Sequence, residues 1–306
     1  MRRKLLSALL GTMLLVLTAC HAGGGGHALG AIQNFSVEDT LSEAAGTPAK
    51  VVLLLGQSNA TGVAANAYLA QKAPEEYAQA MEGYDNVRIN FITENGANSS
   101  HDRFVGAAPG QGASPDHFGP ELGLAKVLAS AYPDTPVFII KYSWGGSVLD
   151  TQWLDGNGER GELYTAALAF GKASLEYLER KGYRPQIAAA CWMQGESDAV
   201  DATTAKRYYQ NTKSLVNYLR KDFAAYAPNG FDFVDAGIAE IAAWVHPETV
   251  NEAKRRFAQE NERNVYIDTQ ALGLTTLEEP EGAPDVAHYD ALSAIALGEA
   301  FGKKVR

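Results

Sequence analysis

The run Val51-Val52-Leu53-Leu54-Leu55, closed by Gly56, constrains the fold more than any other stretch of the chain. It is too short for a helix. Side chains alternate between the two faces of a strand, so an unbroken apolar run needs cover on both sides. That describes a central strand of a parallel sheet held between helices. The strand ends in Gly56-Gln57-Ser58-Asn59, residues that all suit a turn. Ligands of open α/β sheets bind beyond the carboxyl ends of the strands, so a serine here is a candidate for chemistry as well as for a turn.

Further strands are expected at residues 87–92, 137–140, 187–192 and 233–239, with a short one at 265–267. Between and after them lie expected helices at 119–131, 162–181, 202–223, 247–261 and 292–303, and residues 61–81 hold short helical pieces. Strands alternating with helices imply parallel pairing and helices on both faces, a single three-layer α/β/α domain. Residues 95–117 form a long loop rich in Gly, Ala, Ser and Pro. Its His101, Asp102 and His117 read as polar residues beside a cleft.

The amino terminus reads as targeting rather than fold. Arg2, Arg3 and Lys4 precede an apolar segment, residues 5–17, too short to span a bilayer comfortably. Leu17-Thr18-Ala19-Cys20 resembles the bacterial lipobox, which implies a signal peptide at 1–19 and lipidation of Cys20. The expected mature protein is extracytoplasmic and anchored rather than spanning, with His21 after the cysteine favouring outer-membrane sorting. A glycine-rich tether then occupies 20–47, and the domain runs from 48 to 306. His21 and His27 read as solvated linker residues. With Cys20 consumed, only Cys191 remains, so no disulfide or cysteine metal cluster is expected. A net charge of −10 argues against nucleic acid as a partner.

The polar, glycine-bearing clusters follow successive strands. Ser58 follows the first, Trp144-Gly145-Gly146-Ser147 the third, Gln194-Gly195-Glu196-Ser197-Asp198 the fourth, and Asp285-Val286-Ala287-His288 the last. In a parallel sheet these ends share one edge, so distant segments converge on one cleft. A serine needs an imidazole to take its proton and a carboxylate to orient that imidazole. Asp285 and His288, three residues apart, can be that pair.

These motifs, with Phe118-Gly119-Pro120-Glu121, resemble the SGNH (GDSL-like) hydrolase superfamily. Within it they are most similar to carbohydrate acetylesterases of the sialate O-acetylesterase and carbohydrate esterase family six type. The likeness runs in order from about Val51 to the end of the chain. It implies a flavodoxin-like fold with a mainly parallel five-stranded sheet, and a serine esterase that removes O-acetyl groups from a glycan such as xylan or sialic acid. Ser58 would be the nucleophile, His288 the base and Asp285 its partner, with Glu196 an alternative acid. The oxyanion hole implied comprises the Ser58 N–H, the N–H of Gly119 or of Gly145 or Gly146, and the Gln194 amide. Gln57, Asn59, Trp144 and Trp153 are candidate substrate contacts, and Trp192 is expected in the core. No metal or organic cofactor is implied. Two other functions use the same residues: an esterase for other short-chain or lipid esters, and a catalytically silent glycan-binding surface lipoprotein.

Overall fold

The computed structural model describes residues 35–93 and 96–306. The signal segment, Cys20 and the first part of the tether lie outside the described residues. Six parallel strands carry the fold: β1 (Thr47–Gly56), β2 (Val87–Thr93), β3 (Val137–Ser143), β4 (Tyr183–Met193), β5 (Asp232–Ala236) and β6 (Asn264–Ile267). Their spatial order is β6-β5-β4-β1-β3-β2. Val51 to Leu55 are each at most 4% exposed. Since alternate side chains face opposite ways, both faces of the sheet are covered there.

Two details correct the expected five-stranded, flavodoxin-like sheet. The sheet has eight strands, because Asn98–Ser99 and Val105–Gly106 pair antiparallel with β2 and cover part of that edge. The loop expected at 95–117 therefore contains strand, although each piece is only two residues long. The order also departs from the flavodoxin-like 2-1-3-4-5: β1 lies between β3 and β4, and β2 lies beyond β3.

The helices are α1 (Asn66–Lys72), α2 (Pro74–Glu82), α3 (Glu121–Ala131), α4 (Glu162–Arg180), α5 (Ala202–Asp222), α6 (Pro247–Ala258) and α7 (Ala291–Gly302). α3 lies against α7, and α5 against α6. The first pair approaches closely because Gly123 and Gly298 face the partner backbone; a Cβ on either would come within 2.0 Å of a carbonyl oxygen, of Ile295 and Pro120 respectively.

Residues 35–46, expected in the tether, are docked. The Phe35 ring lies 5.1 Å from that of Phe170 on α4, and Val37 is buried. The N–H groups of Thr40 and Leu41 donate to the Tyr177 hydroxyl at 2.8 and 3.1 Å. The apolar Phe35 and Val37 find cover against the core, so the packed domain begins before residue 48. Among the described residues no helix is long and apolar enough to cross a membrane.

Candidate active site

β1 lies between β3 and β4, and Gly56 at its end is in register with Ser143 and Met193. Gly56 has φ +146°, and a Cβ there would sit 2.0 Å from the Met193 carbonyl oxygen, so the chain can leave the sheet only through glycine. It enters one helical turn, Ser58–Thr61, with Gln57 O accepting from Ala60 N and Thr61 N at 2.8 Å. Ser58 opens that turn and is half-buried between two buried neighbours. A buried ammonium braces the other end: Lys141 Nζ donates to Thr61 O at 2.7 Å, Gln111 O at 2.8 Å and Glu121 Oε2 at 2.7 Å.

His288 Nδ1 lies 2.7 Å from Asp285 Oδ2. A carboxylate accepts only, so Nδ1 carries a proton, and in the neutral imidazole Nε2 is the nitrogen with the free lone pair. Burial works to raise the Asp285 carboxyl, but the hydrogen bond and charge of His288 and the Ala287 N–H outweigh it, holding it below the usual carboxylate value.

Asn59, next to Ser58, joins the two halves. Its Nδ2 donates to Glu196 Oε1 at 2.7 Å and to Ala287 O at 3.3 Å, and its Oδ1 accepts from Tyr289 N at 2.9 Å. The structure thus brings the Ser58 turn, Glu196 and the Asp285–His288 loop into one hydrogen-bonded cluster.

Other expected contacts are corrected. Asn59 has both amide hydrogens and its oxygen engaged, and is buried, so it does not face substrate. Gln57 is equally buried, its Oε1 accepting from Gly195 N and Ser197 N at 3.2 and 3.3 Å. Gln194 is fully buried. Its two amide hydrogens go to Ser147 O at 2.9 Å and Asp198 Oδ2 at 2.6 Å, leaving none for an oxyanion. The Gly119 N–H donates to Glu121 Oε1 at 2.8 Å and is likewise spent. Trp153 is buried edge-on to Trp192 at 4.8 Å, its indole N–H on Ser147 Oγ, and offers no face to a sugar. Trp192 is core. Trp144 is half-buried, and Gly146 is exposed with φ +65°. Among the described residues no hydrogen bond engages the Gly146 N–H. His117 Nδ1 pairs with Ser114 Oγ at 2.7 Å and His101 is exposed, so neither joins the His288 cluster.

A family model described as SASA, carbohydrate esterase, sialic acid-specific acetylesterase, matches residues 48–306. The chain belongs to the SASA family. It is accordingly an esterase that hydrolyses O-acetyl groups of carbohydrates. Two solved structures share its fold. An Arabidopsis thaliana protein matches at TM-score 0.61 and 19% identity, over 84% of this chain and 97% of its own. The protein called NanS matches at TM-score 0.60 and 15% identity, over 86% and 97%. Among curated protein sequences no match was found.

Behind the serine of this SASA-family esterase lies a layer of buried polar groups that only the fold reveals. Glu196 is 1% exposed, and its Oε2 is buried without a hydrogen-bond partner among the described residues. Burial raises its pKa, opposed by the Asn59 hydrogen bond and by the charges of Lys254 and His288. Asp198 accepts from Leu149 N at 2.8 Å and Asp150 N at 3.2 Å, and burial pushes its carboxyl up to about 6. Lys254 pairs with Asp235 inside the same layer. Among the described residues no group of three or more His, Cys, Asp or Glu side chains is placed to hold a metal.

The raised Glu196 carboxyl has a measurable consequence. The folded protein holds this proton more tightly than the unfolded chain, so the group's contribution to stability is present below the ordinary carboxylate value and lost as pH rises through the raised one. A glutamine side chain in its place would keep the acceptor for Asn59 and never ionise. The Tm of Glu196→Gln relative to wild type should therefore climb as pH rises from the ordinary carboxylate value of 4.5 into the neutral range. Thermal melts across that range check this, and a difference independent of pH would contradict it.

Proposed function

We propose that this SASA-family esterase works by a serine acyl-enzyme mechanism on an SGNH-type scaffold. Ser58 Oγ attacks the acetyl carbonyl while His288 Nε2 takes its proton, and Asp285 holds the imidazole through Nδ1. The tetrahedral oxyanion is met by the N–H groups of Ser58 and Gly146, neither of which is engaged elsewhere among the described residues. Collapse breaks the bond to the sugar oxygen, which leaves with the proton from His288. Water then attacks the acetyl-serine, Nε2 takes its proton, and acetate departs with Ser58 restored. Trp144, half-buried just after β3, serves as a sugar contact.

The observation that carries the reading is the Asn59 bridge, which ties the serine turn to the residues on either side of His288. The family description favours an O-acetylated sialic acid as substrate. Acetate release from O-acetylated sialic acid and from acetylated xylan, compared on one preparation, tests this. A higher kcat/KM on the sialic acid is expected. Preference for xylan, or for long-chain esters, would replace the substrate class, and binding without release would favour a silent glycan-binding protein.

The same proposal includes lipid anchoring at Cys20. Cys20→Ser should move the protein from the membrane to the soluble fraction of its host and abolish incorporation of labelled fatty acid. Unchanged fractionation and labelling would remove the anchor from the proposal.

A further inference from the structure

We propose that Asn59 is the positioning residue that sets the distance and angle between Ser58 and His288, and that Glu196 serves it by fixing which way its amide points. The inference rests on the acyl-enzyme reading above. Asn59 is joined to Ser58 by one peptide bond and is itself 6% exposed. Its three hydrogen bonds are directional and are made at once. Ala287 O can only accept from it, Tyr289 N can only donate to it, and Glu196 Oε1 accepts from it. The amide therefore has one orientation, and a flip would lose all three bonds.

Ala287 and Tyr289 flank His288, so the imidazole's backbone is gripped on both sides by the residue after the nucleophile. The opposite end of the His288 loop is anchored separately. Glu279 accepts from Ala65 N at 2.6 Å and Ala291 N at 2.7 Å, and its carbonyl accepts from Asp285 N at 2.8 Å. Loss of Asn59 should thus leave the loop attached while releasing its register against Ser58. Misplacement of reacting groups by about 1 Å can cost about 100-fold in rate.

The test uses the whole protein with Asn59→Ala and Asn59→Asp. The aspartate variant would keep an acceptor for Tyr289 N, but would set a second carboxyl against Glu196. Active sites are counted by stoichiometric labelling with a fluorophosphonate, and turnover of 4-nitrophenyl acetate is expressed per labelled site. The expected result is full labelling at a reduced rate, kcat per site lower by about 100-fold, and KM within about threefold of wild type. A merely structural role would lower the labelled fraction and leave kcat per site within about threefold of wild type, and that result overturns the proposal. Should Asn59→Ala fail to fold, Asn59→Ser, which keeps a small polar side chain, carries the same readout. Failure of the mechanism itself is separable: it requires Ser58→Ala to retain turnover.

Discussion

Replacing Ser58 with alanine should lower acetate release by a factor of about 10⁴ or more, with Tm within about 2 °C of wild type. The two halves of this expectation have separate causes. Removing the nucleophile of a coupled serine–histidine–carboxylate set costs nearly as much as removing all its members, because the remaining groups have nothing to activate. What survives is the binding and oxyanion contribution of backbone N–H groups, which alanine retains. Stability is spared because Ser58 is half-buried and no hydrogen bond of its side chain is present among the described residues, so little packing is lost. Acetate release by wild type and variant, with a melt of each, decides it. A Ser58→Ala protein that still turned over near wild-type rate would end the acyl-enzyme mechanism, whereas an inactive protein with a collapsed melt would make Ser58 structural.

How much of this was legible in the sequence follows from the range of the interactions. Val51 to Leu55 announced a strand covered on both faces because burial on two sides leaves an unbroken apolar run. The Asp285–His288 pair stood out because it is local, the two residues lying three apart, and Ser58 because it follows a strand. Asn59 was misread as a substrate contact for the opposite reason. Its partners lie 137, 228 and 230 residues away, and nothing in its neighbourhood says which way the amide turns. Gln194 failed similarly, since Ser147 O, 47 residues upstream, takes one of its amide hydrogens. Trp153 was read as a candidate substrate contact, yet Tyr142 and Trp192 enclose it edge-on. The strands Asn98–Ser99 and Val105–Gly106 are too short to show an alternation, and their pairing follows from the edge that β2 leaves open.

Lys141→Met should destabilise the protein by about 3–5 kcal/mol, the usual cost of leaving one member of a buried ion pair uncompensated. At roughly 2–4 °C per kcal/mol for a domain of this size, the melt should fall by roughly 10 °C. Lys141 sits in β3, where every residue is buried, and both it and Glu121 are 0% exposed. Burial lowers the Lys141 pKa while Glu121 acts against that fall. The ammonium is tolerated because each of its three hydrogens has an acceptor: Thr61 O, Gln111 O and Glu121 Oε2. A methionine side chain would fill the space and leave two carbonyl oxygens and a carboxylate oxygen without that donor. A Tm within about 3 °C of wild type would show that water or rearrangement replaces the ammonium, and would refute the assignment. The double variant Lys141→Met/Glu121→Met separates charge from geometry. Removing both charges should recover part of the stability, since buried pairs often roughly break even against apolar replacements. It cannot recover all of it, because the Gly119 N–H then loses Glu121 Oε1. Turnover should not recover in step. Thr61 O belongs to the turn that Ser58 opens, and Lys141 ties that turn to Gln111 and to the start of α3. The charge in this strand therefore matters less for the energy of the pair than for the three segments that its hydrogens hold around Ser58.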